Sequence, residues 1–150
     1  MVSALSRHVM SLPSYCFASD ACLTGGGAHM AHDWFYTNWL LDYPEYSQSH
    51  INTLELLTVL LAIKRWGACL SGTHFIVRTD NKTAMAALNK GSSRSRDIML
   101  IVREIFWLSV KFDFTLRAVF LPSEAFTPGR RRFSEYYTRS SGENLIQLLV

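Results

Sequence analysis

The chain has 150 residues, of which 49% are hydrophobic and 18% charged. That is long enough for one domain with a real core, and it excludes a chain that is mostly disordered. The formal charge is only +3, and residues 129–150 carry +2 of it through four Arg against two Glu. Such a modest, uneven balance gives slight support to a nucleic-acid partner.

Residues 1–13 read as a polar lead-in ending at the breaker Pro13. They lack the charged-then-apolar layout of a secretory signal. Ser14 to Ala21 predicts a first strand. Gly25-Gly26-Gly27 predicts a tight turn at which backbone can approach a partner closely. Ala28 to Tyr36 predicts a second strand, and residues 40–50 a loop.

A helix is predicted over 52–66, with Asn52 as N-cap, Lys64 and Arg65 at its end and Gly67 closing it. It is apolar nearly all round, which calls for burial against a sheet. Residues 74–79 predict a β-branched strand and 82–89 a short helix closed by Gly91. After a polar loop at 92–96, residues 97–110 predict a long helix, with apolar positions at 98, 101, 102, 105 and 108. Phe114 to Leu121 predicts a last strand, stopped by Pro122. This order predicts an α/β fold with one mixed sheet and flanking helices.

The best apolar run is broken by Glu55, Thr58, Lys64 and Arg65, so no membrane span is expected. Cys16, Cys22 and Cys69 are odd in number and match no zinc spacing. They are expected to be reduced, buried thiols of an intracellular protein, cytoplasmic or nuclear. Trp34, Trp66, Phe106 and Trp107 are expected in the core. His29, His32 and His74 show no partner pattern.

The chemistry concentrates in Asp20, Glu55 and Asp80. A carboxylate among apolar residues is costly unless it is paired or holds a metal. Each also has an ordinary reading. Asp20 could start the Gly-rich turn, Glu55 could complete a capping box with Asn52, and Asp80 could cap the helix after Asn81. As a set they fall on a strand, a helix and a strand of one small sheet, where carboxylates can converge. Their hard oxygen ligands suit Mg²⁺ or Mn²⁺. Two such ions roughly 4 Å apart can activate a water and stabilise the leaving oxygen of a phosphodiester, so no Ser or Cys nucleophile is needed.

Three segments carry a family resemblance: Ser19-Asp20-Ala21 with its glycines, His50-Ile51-Asn52-Thr53-Leu54-Glu55-Leu56, and Arg78-Thr79-Asp80-Asn81-Lys82-Thr83-Ala84. Together they resemble the ribonuclease H domain of reverse-transcribing retroelements. The Thr-Asp-Asn form and the Ser-Arg-Ser loop within 93–96 are most similar to tyrosine-recombinase (DIRS-type) elements. The likeness runs from about residue 14 to Pro122. It implies a ribonuclease H-like fold and a metal-dependent endonuclease that cuts the RNA strand of RNA–DNA hybrids during reverse transcription. It also implies two bound Mg²⁺ or Mn²⁺ ions and a reverse transcriptase domain in the same polyprotein. Asp20, Glu55 and Asp80 would be catalytic metal ligands, with Asp20 shared by both ions.

The chain departs from the family pattern at the fourth carboxylate. Where the family places an Ala-Asp pair opening a helix, this chain reads Thr127-Pro128-Gly129-Arg130, with Arg130 at the expected Asp position. A cation there would repel a metal. The domain is therefore expected over 14–128, with residues 129–150 as an atypical basic tail. Glu124 and Glu135 are the alternatives for the missing ligand. The arginine run reads either as a phosphate grip or as a solvated basic turn. One extra base after the Pro128 codon is a simple hypothesis for both the lost Asp and the basic tail. Two functions stand side by side: an endonuclease, impaired by the missing ligand, and a decayed nucleic-acid-binding or interaction module of the same fold.

Overall fold

The structure is a computed structural model, and it describes residues 14–122. The tail and its arginines lie outside the described residues, as do Glu124 and Glu135. Five strands form one sheet in the order β3-β2-β1-β4-β5. They are β1 (Ser14–Ala21), β2 (Gly25–Met30), β3 (Asp33–Asn38), β4 (Thr73–Thr79) and β5 (Phe114–Phe120). β1 pairs antiparallel with β2 and parallel with β4, and β4 pairs parallel with β5. The helices are α1 (Trp39–Asp42), α2 (Ile51–Trp66), α3 (Lys82–Lys90) and α4 (Arg96–Lys111). The mixed sheet with flanking helices is the α/β architecture that the element order predicts. Among the described residues no helix is long and apolar enough to cross a membrane.

Strand alternation explains the core. Phe17, Val77 and Ala118 align across β1, β4 and β5, and all three are buried. Phe75 meets Phe17 and Phe114 edge-on, with ring centroids 5.8 and 4.9 Å apart. α2 lies against β1 and β2 and buries eleven of its residues, which accounts for its near-uniform apolarity. The fully buried Thr58 hydroxyl is satisfied within the helix, since its Oγ1 donates to Leu54 O at 2.8 Å.

Two parts of the antiparallel run β1-β2-β3 differ from expectation. The stretch 28–36 is not one strand, because the chain reverses at Ala31 and His32 between β2 and β3. Ala31 takes φ 53° there, so the turn carries none of the Gly, Asn or Pro that would have announced it. The three glycines are strand rather than turn. The turn precedes them, closed by Cys22 N donating to Gly25 O at 2.8 Å. Close approach does explain Gly26. A Cβ there would lie 2.4 Å from Thr58 Oγ1 and 2.6 Å from Trp39 Cζ2.

The predicted loop 40–50 holds order of its own. Asn38 caps α1 by accepting from Leu41 N at 3.1 Å, and Thr37 Oγ1 donates to Asp42 at 2.7 Å. Trp39 is fully buried and donates its ring N–H to Cys22 O at 2.9 Å. A 3₁₀ turn follows at Pro44–Tyr46.

Three residue-level expectations differ from the structure. Phe106 and Trp107 are 66% and 68% exposed. The buried stripe of α4 runs Ile98, Ile101, Val102 and Ile105, and its helical period turns positions 106 and 107 outward. Trp66 does enter the core, and Trp34 is half-buried. All three cysteines are free thiols, but none is buried: Cys16 and Cys22 are half-buried and Cys69 is exposed. His74 has a partner on the neighbouring strand, the Thr115 hydroxyl.

Candidate metal centre

Asp20 is the penultimate residue of β1 and is 5% exposed. Its antiparallel partner is Gly27, which has no side chain to cover it. Glu55 lies in the second turn of α2 and is 4% exposed. It is not part of a capping box. The helix starts one residue earlier than predicted, and His50 is the N-cap, its Nδ1 accepting from Asn52 N at 3.2 Å. Glu55 turns toward β1 instead, where its Oε1 accepts from Ala21 N at 3.3 Å. That bond ties the Glu55 side chain to the residue next to Asp20.

Asp80 immediately follows β4 and is half-buried. It does not cap the next helix. Asn81 does, its Oδ1 accepting from Ala84 N at 2.9 Å. The capping role that competes for Asp80 in the sequence thus falls to its neighbour.

The three carboxylates converge. One oxygen from each lies within 4.8 Å of the others, and among the described residues this is the group able to share a metal ion. The donor set is oxygen only, which fits Mg²⁺ or Mn²⁺ and disfavours zinc or copper. Three like charges at this range repel one another, two of them in largely buried positions. A divalent cation between them converts that repulsion into attraction. On the chemistry of the donors, the residues fit such an ion.

Sequence reasoning missed the side chains that hold this region in place. Asn81 Nδ2 donates to Asn52 Oδ1 at 2.9 Å, linking the starts of α3 and α2. Asn89 makes two bonds with the backbone of Ala118, at 2.8 and 2.9 Å, and so docks α3 on β5. The signal for Asn81 was present, since Asn is among the best N-cap residues, but Asp80 competed for the same role.

The fold is ribonuclease H-like. The structure resembles RNase H1 from the halophilic archaeon Halobacterium salinarum NRC-1, with TM-score 0.53 and 10% identity, covering 74% of this chain and 86% of that one. It also resembles LC11-RNase H1 solved in complex with an RNA/DNA hybrid, with TM-score 0.54 and 13% identity, covering 77% and 88%. No protein-family model matches the chain. In sequence it is 34% identical over 70 residues to an enzymatic polyprotein of Carnation etched ring virus. That match takes in 47% of this chain and 10% of the polyprotein.

Proposed function

We propose that this domain hydrolyses the RNA strand of RNA–DNA hybrids with divalent cations held by Asp20, Glu55 and Asp80, as part of a retroelement polyprotein. The observation that carries the reading is the convergence of three carboxylates, from β1, α2 and the end of β4, to within 4.8 Å. The hybrid bound by LC11-RNase H1 supports the substrate, and the viral polyprotein supports the setting and a reverse transcriptase domain as partner. The closer likeness to tyrosine-recombinase elements that we propose rests on the Thr79-Asp80-Asn81 segment and on the Ser-Arg-Ser loop within 93–96. Bound cations would supply Lewis-acid activation of a water and neutralise charge at the phosphodiester. Asp20 would be the ligand shared between two ions, Glu55 is oriented toward it through Ala21 N, and Asp80 closes the third side. Recognition of a hybrid rests on backbone and sugar contacts, so no base-reading residues are required.

A second reading is favoured by one observation. Arg130 stands where the resemblance expects a fourth carboxylate. A domain without that ligand would bind nucleic acid and cut it poorly or not at all. Cleavage of an end-labelled hybrid in Mg²⁺ separates the two. Under the first reading the wild type cuts the RNA strand, and Asp20→Asn abolishes cutting. In cation-free buffer that variant melts no lower than wild type, because one charge fewer relieves repulsion. Hybrid binding without cutting supports the second reading. Near-normal cutting by Asp20→Asn would show that the carboxylates are structural.

A further inference from the structure

We infer that Asn81 and Asn52 form a positioning bridge that sets the separation of Asp80 from Glu55, an inference that rests on the cation-site reading above. Asn81 directly follows Asp80, and Asn52 lies about one helical turn before Glu55. Asn81 uses every polar group it has. Its Oδ1 accepts from Ala84 N at 2.9 Å and its backbone N donates to Thr79 Oγ1 at 3.2 Å. Its carbonyl accepts from Met85 N at 3.0 Å. With the amide oxygen committed to the cap, the amide nitrogen faces Asn52 Oδ1 at 2.9 Å. The bridge therefore has one orientation and joins the N-terminal ends of α2 and α3, each close to one carboxylate.

Capping alone does not account for Asn at position 81. Asp or Ser would cap α3 about as well. Asp would add a fourth negative charge beside the cluster and has no N–H to give Asn52. Ser would keep its O–H while its oxygen serves the cap, but its side chain is too short to reach Asn52 as the Asn amide does. Asn supplies cap and bridge together and adds no charge. Asp80 stands on the short connection between β4 and α3, and the bridge fixes that connection against the helix that carries Glu55.

The test uses the full chain with Asn81→Ser, Asn52→Ala and the double variant. Asn81→Ser keeps a cap and loses the bridge. Asn52→Ala loses the bridge and leaves both caps in place. Mn²⁺ affinity is measured by calorimetry, and melting temperature is measured without cation. Each single variant is expected to bind Mn²⁺ about 10- to 100-fold more weakly, the range for residues that orient metal ligands. The double variant should be no weaker than the worse single, because either change breaks the same bond. Unchanged Mn²⁺ affinity with a lowered melting temperature would reduce the bridge to a structural tie and overturn the inference, as would losses that add in the double variant. A wild type that fails to bind Mn²⁺ overturns this inference and the cation-site reading together; wild-type binding matched by both variants overturns this one alone.

Discussion

Asp33 gathers three hydrogen bonds on one half-exposed carboxylate. Arg65 grips it with Nε and Nη2 at 2.9 Å each, and Trp66 Nε1 donates at 2.6 Å. The Arg65 hydrogen bonds, followed by that from Trp66, hold the Asp33 carboxyl well below the usual carboxylate range. The same pairing raises Arg65. The clasp fastens the turn between β2 and β3 to the end of α2. Because the folded-state value is depressed, its contribution to stability is full above the unfolded value of about 3.9 and fades as pH falls below it. Both side chains are about half exposed, so solvent screening keeps that contribution under about 1 kcal/mol. Asp33→Asn should therefore be less stable than wild type at neutral pH, and the gap should shrink below about pH 4. Denaturant unfolding across that range checks it, and a gap that is constant down to strong acid would assign the effect to packing.

At the scale of elements, the first hairpin fits the helical layer only because β2 carries glycine. Gly26 leaves room for both Trp39 and Thr58, which lets α1 and α2 close over β2. Gly26→Val should cost about 1–3 kcal/mol, the usual range for overpacking a tight contact, with the fold otherwise kept. Chemical denaturation of the variant measures this, and an unchanged midpoint would mean that Trp39 can move aside freely. α2 shows what was legible beforehand. Its apolar composition and its end at Gly67 predict a buried helix, and the structure has one from Ile51 to Trp66. Its first residue was misplaced because His50 acts as N-cap, a role that Asn52 fills better by propensity. The β2–β3 hairpin was less legible for a related reason, since its turn at Ala31 and His32 uses no residue that favours reversal. On α4 the buried stripe was readable from its period, whereas the exposure of Phe106 and Trp107 was not, because side-chain size says nothing about which face a helix presents.

In the whole molecule, β1, α2 and the end of β4 matter as carriers of one carboxylate each. The three acidic residues were visible in the sequence as a set, although each has an ordinary capping or turn role that competes. The structure removes two of those roles by giving the caps to His50 and Asn81. What the sequence could not supply was the supporting geometry, the Ala21 N bond to Glu55 and the Asn52–Asn81 link, because both join segments far apart along the chain. The proposed function requires that these three side chains together hold divalent cations. A crystal of the protein soaked in Mn²⁺ tests it most directly through anomalous scattering. A peak bounded by the carboxylates of Asp20, Glu55 and Asp80 is expected, and it should be lost in Asp20→Asn. A well-ordered crystal with no peak there, or with Mn²⁺ only at other surface carboxylates, would contradict it.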